Sequence, residues 1–176
     1  MRIFLLLFFA FDLMALSIDP LLLKAQASIF PKIMLLDNDI SSKVKENKLM
    51  LDIVYTNDQK ANAKKLKAMI DTEYKNSLGE LSFEVRLVDI KDFSTKENAA
   101  AYYIFDASAP TMKRVISHAT DMHRICFGYN YGDFDKGILI SLFVKERTYI
   151  YLNKPVFHNY QIKFTSIFYR IAKVVE

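Results

Sequence analysis

Gly137 to Phe157 reads GILISLFVKERTYIYLNKPVF. A glycine opens an apolar run, a charged cluster Lys145-Glu146-Arg147 interrupts it, and a second aromatic and β-branched run ends at Asn153. Two such runs around a short polar break predict an antiparallel hairpin. Working back towards the N-terminus, the pattern changes. The strands LMLDIVY (Leu49 to Tyr55) and AAYYIFDA (Ala100 to Ala107) read as buried, FEVRLVDI (Phe83 to Ile90) alternates apolar and charged residues as a strand with one wetter face does, and RICFGYN (Arg124 to Asn130) is a fourth; helix-like stretches or loops separate them. Alternation predicts parallel strands with crossover helices. The fold class expected is therefore α/β: a mixed sheet of about five to six strands flanked by helices, parallel in its first part, with a C-terminal antiparallel hairpin and a final helix.

The helices carry their own signals. Asp19-Pro20 is a capping residue followed by proline in the first turn. Leu22, Ala25, Ile29, Ile33 and Leu36 follow at helical spacing, with Pro31 expected to kink or split the helix. Thr56, Asn57 and Asp58 supply caps for a second helix with Ala63, Leu66, Met69, Ile70 and Tyr74 inward. Met112, Val115, Ile116 and Ala119 mark a third. TSIFYRIAKVV (Thr165 to Val175) predicts a final helix packed through Ile167, Phe168, Ile171 and Val174.

The first 17 residues, MRIFLLLFFAFDLMALS, place one basic residue before a Leu/Phe run that ends on Ala15 and Ser17. That is the layout of a secretory signal peptide. Asp12 interrupts the run, which at about 14 residues is short of the ~20 that span a bilayer. The expectation is an exported, periplasmic protein with one domain over residues 18–176 and no membrane span after cleavage. Net charge is +4, spread along the chain. The densest basic cluster, Lys60, Lys64, Lys65 and Lys67, reads as a solvated helix face and not as a nucleic-acid patch. The single cysteine, Cys126, sits in apolar RICFGY and reads as a buried, inert thiol.

Recognisable catalytic patterns are missing. The sequence has no nucleophile elbow, P-loop or dinucleotide fingerprint. His118, His123 and Cys126 lack a fourth ligand for zinc, and the Asp133/Asp135 pair reads as solvated loop carboxylates, so no metal and no cofactor is expected. Topology leaves one site candidate. Ligands of open α/β sheets bind outside the carboxyl ends of the strands. Those ends carry Thr56 and Asn57, then Asp106 and Ser108, then Asn130. Helix and turn capping is the other reading of the same residues. Separately, Tyr129, Tyr131 and Phe134 crowd one loop, and such rings anchor protein interfaces.

The tail also resembles a known family. A glycine opens a strand at Gly137, the partner strand ends on Asn153, and after KPVFHNYQIKF a segment begins with a small hydroxyl residue at Ser166. This resembles the C-terminal half of the YfiR-like periplasmic proteins. LLLKAQASIFPKIMLL and LMLDIVYTND fit the same order upstream. The resemblance implies a non-enzymatic periplasmic regulator. It would bind an inner-membrane signalling protein with a periplasmic domain, of the diguanylate cyclase or sensor kinase type, and lower cyclic di-GMP output; it also leaves room for a homodimer. The cysteine pairs of some members have no counterpart beside the lone Cys126, and the tryptophan common at the end of the family's first helix is missing. The competing expectations are a periplasmic small-ligand-binding module at the strand-end polar residues and, third, a hydrolase.

Overall fold

The computed structural model describes residues 18–96, 98–107 and 110–176. The proposed signal peptide and Ser108 lie outside these described residues. Helices α1 (Pro20–Met34), α2 (Lys60–Tyr74), α3 (Met112–Asp121), α4 (Lys154–Tyr160) and α5 (Ser166–Ile171) alternate with eight strands. The strands are β1 (Lys48–Tyr55), β2 (Ser77–Leu78), β3 (Leu81–Asp89), β4 (Ala101–Ile104), β5 (Ile125–Gly128), β6 (Ile140–Val144), β7 (Thr148–Asn153) and β8 (Ala172–Val175). They form one sheet in the order β2-β3-β1-β4-β5-β6-β7-β8. The five strands from β3 to β6 are mutually parallel. β7 turns back antiparallel to β6, β8 runs parallel to β7, and β2 pairs antiparallel on β3. The expected α/β class and the C-terminal hairpin are present, and the sheet is wider than expected because β2 and β8 extend its two edges.

Strand alternation divides the core between two faces. Register places Ile53 beside Tyr103, and Phe127 follows on β5. This face packs under α1, where Phe30 stacks on Phe127 at 4.3 Å and meets Tyr103 at 5.8 Å. The opposite face carries Tyr102 and Cys126 under α3 and α4, with His118 edge-on to Tyr102. Burying each large ring contributes about 1.5–3 kcal/mol. Residues on this second face of β3, such as Glu84 and Arg86, stay partly exposed, which is why FEVRLVDI alternates in polarity.

Two helix expectations are corrected. Pro31 lies inside α1 and does not split it, since the helix runs from Pro20 to Met34. The tail is not one helix: α5 ends at Ile171 and the chain becomes β8, pairing Ile150↔Ala172 through Asn153↔Val175. Of the four residues expected to pack, only Phe168 is buried (0% exposed); Ile167, Ile171 and Val174 are 49%, 49% and 54% exposed. The β-branched end of the segment is taken up by the free edge of β7, so pairing outweighs helical spacing. The KPVFHNYQIKF connection, for its part, contains α4.

The residues that carry the tail pattern have identifiable structural work. Gly137 has φ +98°, and a Cβ there would come within 2.9 Å of Ile116 Cγ2, so only glycine fits. The Tyr160 hydroxyl donates to the Gly137 carbonyl (2.8 Å). Asn153 is buried, and its amide donates to the carbonyls of Phe134 and Ile138. Ser166 begins α5.

Candidate functional site

Strand order places the site. β1 leads through α2 to β3 on one side, and β4 leads through α3 to β5 on the other. The direction of winding therefore reverses between β1 and β4, which is where open α/β sheets bind ligands at the carboxyl edge. The last rungs align Val54 with Ile104 and Ile104 with Gly128. Two residues further on, Thr56, Asp106 and Asn130 follow three neighbouring strands, spaced by roughly 5 Å per strand. The sequence-predicted polar residues thus come together as a row across the carboxyl edge.

Much of that row's hydrogen bonding is local. Thr56 Oγ1 donates to Asp58 Oδ1, and Gln59 Nε2 donates to Asp58 Oδ2 at 3.0 Å. The Thr56 hydroxyl, with lesser help from Gln59, holds the Asp58 carboxyl below its ordinary pKa. Asn57 is exposed at the start of the 3₁₀ turn Asn57–Gln59. Asn130 Oδ1 accepts from Gly132 N (2.9 Å), capping the 3₁₀ turn Tyr131–Lys136. Lys136 pairs with Asp133 at 2.7 Å, which raises its pKa, and Asp106 adds to that field.

Helix α1 is tied to this edge by a buried network that the sequence did not announce. Gln26 is 0% exposed. Its Oε1 accepts from the Tyr103 hydroxyl at 2.6 Å, and its Nε2 donates to the Tyr129 carbonyl at 2.8 Å. The backbone N–H of Asp19 donates to the Tyr129 hydroxyl at 2.8 Å. Tyr129, a partner-surface candidate from the sequence, is 6% exposed and serves the core: its ring lies 6.0 Å from that of Phe105 and its hydroxyl accepts from the Asp19 N–H. Phe134 is likewise partly buried against the core. Tyr131 alone of the three is exposed, at 43%, and it packs on Phe143 and Tyr151 at 5.2 and 5.6 Å. β6 pairs with β5 only at Ile140 and Ser141, so the Phe143 end of β6 runs past the end of β5, beside Tyr131.

Beside the polar row lies a recess of about 260 Å³ lined by Ile90, Lys91, Pro110, Thr111 and Arg114. It bridges the loop after β3 and the start of α3. Thr111 occupies the N-cap of α3 without a side-chain capping bond, so the first-turn amides take none from it. Arg114 Nη2 donates to the carbonyls of Ile90 and Phe93 (both 3.2 Å), and the guanidinium lies over the Phe93 ring at 5.6 Å. That clamp holds the loop against the helix. Two cationic side chains and a helix start give the recess a positive field suited to a carboxylate or a similar small anion. Lys91, Thr111 and Arg114 were not singled out from the sequence, since only the crossover from β3 to β4 brings them together.

Among the described residues, no group of three or more His, Cys, Asp or Glu side chains is arranged to hold a metal. His118 is buried against the Phe93 and Tyr102 rings, His123 sits in a turn at φ +54°, and Cys126 is buried. No helix of the described residues is long and apolar enough to cross a membrane.

No family model matches the sequence, and no curated protein matches it. Among solved structures, the chain is similar to the ABC domain from Streptococcus pneumonia in complex with L-Trp. The TM-score is 0.51 at 12% sequence identity, over 83% of this chain and 61% of that one. The likeness is one of fold, and this chain spans about three fifths of that protein's length.

Proposed function

We propose that this chain is a non-catalytic binding module that takes a small anionic solute at the carboxyl edge of its sheet. The observation that carries this reading is the recess of Lys91, Thr111 and Arg114 beside the winding reversal between β1 and β4. The row of Thr56, Asp106 and Asn130 supplies neighbouring polar groups, and Asn57 stands exposed next to it. The fold-level likeness to a domain that was crystallised with L-Trp supports the same reading. Calorimetric titration with a panel of amino acids and small carboxylates, L-tryptophan included, tests it. One panel member binding one to one supports the reading, and silence across the panel contradicts it.

A second reading is favoured by the tail. Gly137, Asn153 and Ser166 fit the YfiR-like pattern; Gly137 and Asn153 hold positions with defined structural roles, and Ser166 begins α5. In that reading the exported domain docks on the periplasmic part of an inner-membrane signalling protein and holds one of its states, shifting the population. Ile167, Tyr169, Ile171 and Val174 are large, exposed and close in sequence, a better docking surface than the Tyr129 ring. Deleting the gene should then raise cyclic di-GMP, and supplying the exported form, but not a cytoplasmic one, should lower it again. Unchanged cyclic di-GMP in the deletion speaks against a cyclase partner.

A further inference from the structure

We propose that the groove between α1 and α2 binds an anionic amphiphile, its apolar chain on Ala27, Ala68 and Met69 and its negative group between Lys24 and Lys65. The groove holds about 460 Å³, on the helix layer and not at the carboxyl-edge recess. That volume lies within the ~300–1,000 Å³ of small-molecule sites, which are mainly apolar with a few polar groups. The site is independent of the solute reading above.

The two ends of the groove differ in charge. At one end Ser28 Oγ donates to Glu73 Oε1 at 2.7 Å, Lys32 lies 3.4 Å from the same carboxylate, and the Tyr74 hydroxyl donates to the Ser28 carbonyl. Lys32 thus offsets part of the Glu73 charge, and these polar contacts bridge the two helices at that end. Lys24, about one turn before Ser28, and Lys65, about two turns before Glu73, both line the groove on the side away from that contact. Among the described residues neither has an ion-pair partner, whereas Lys67 on the same helix is paired with Asp71 at 2.8 Å. Apolar lining, one end where the carboxylate is paired with Lys32 and one side with two unpaired lysines match a molecule with a hydrocarbon chain and a single terminal anion. A neutral chain leaves the lysines unanswered, and a bare anion leaves the lining uncovered.

The test uses the purified chain and three probes by calorimetry: decanoate below its micellar concentration, decanol and acetate. Decanoate is expected to bind one to one, with decanol and acetate at least about tenfold weaker. The Lys24→Glu/Lys65→Glu double variant should weaken decanoate by about tenfold or more and leave decanol unchanged. Lys60→Glu/Lys64→Glu, on the same helix but outside the groove, should leave decanoate affinity as it was. All four positions are exposed, so a matching melting curve is expected of each variant. No binding of decanoate, or equal affinity in the Lys24→Glu/Lys65→Glu variant, overturns the proposal. Equal loss in both double variants also overturns it, because it reports diffuse charge and no site.

Discussion

The side chain of Asn153 donates a hydrogen bond to the carbonyl of Ile138 at 2.7 Å, joining the end of β7 to the residues that enter β6. The same amide also donates to Phe134 O at 2.8 Å, so one buried side chain satisfies two carbonyls of the preceding loop. Asn153→Ala removes both donors and leaves the acceptors without these partners. We expect a loss of about 1–3 kcal/mol, read as a lower urea midpoint with an unchanged slope.

Phe168 and Ile171 lie three residues apart on α5 but face different surroundings. Phe168 is 0% exposed and stacks on Phe164 at 4.0 Å, while Ile171 is 49% exposed. Phe168→Ala should cost about 3–5 kcal/mol through lost burial and a cavity. Ile171→Ala should stay within about 1 kcal/mol. Equal losses in thermal or urea unfolding would contradict the split between α5 and β8.

Arg86 grips Asp52 across the β3–β1 pair, donating from Nε to Oδ1 at 2.7 Å and from Nη2 to Oδ2 at 2.8 Å. The aspartate side chain is 2% exposed and the arginine 28%. Arg86→Ala strips a buried carboxylate of its bidentate partner and should cost about 3 kcal/mol by chemical denaturation. Arg86→Lys should recover only part of this, since an ammonium cannot fork onto both oxygens.

Burial pushes the Cys126 thiol up to about 12 from an ordinary 9.0. The native thiol should therefore resist a disulfide reagent at pH 8 and react at once in denaturant. Because the folded-state value is raised, the stability it contributes is complete below pH 9 and is lost as pH climbs towards 12. Cys126→Ala should flatten that part of the alkaline limb.

The parallel strands and the hairpin were legible because their signals are local: apolar and β-branched runs bounded by capping residues. Thr56, Asp106 and Asn130 were legible as a row because each follows a strand end. The tail was not. Ile167, Phe168, Ile171 and Val174 have helical spacing, and the choice of β8 depends on the unpaired edge of β7, which is a tertiary fact. Tyr129 looked like a loop ring because its hydroxyl partner, Asp19, is 110 residues away. Lys91 and Arg114 belong to one recess only through the crossover between β3 and β4, so spacing alone could not pair them.

The central claim is that Lys91 and Arg114 form the anion-binding wall of the recess. Its most direct measurement is calorimetric titration of a solute from the carboxylate panel into the wild-type chain and into Lys91→Ala and Arg114→Lys. Lysine at 114 keeps the charge but loses the planar guanidinium that holds Nη2 against the Ile90 and Phe93 carbonyls and lies over the Phe93 ring. The account predicts one-to-one binding to the wild type, weakened about tenfold or more in each variant while the circular dichroism spectrum is retained. Wild-type affinity in both variants, or no binding of any panel member to the wild type, would contradict it.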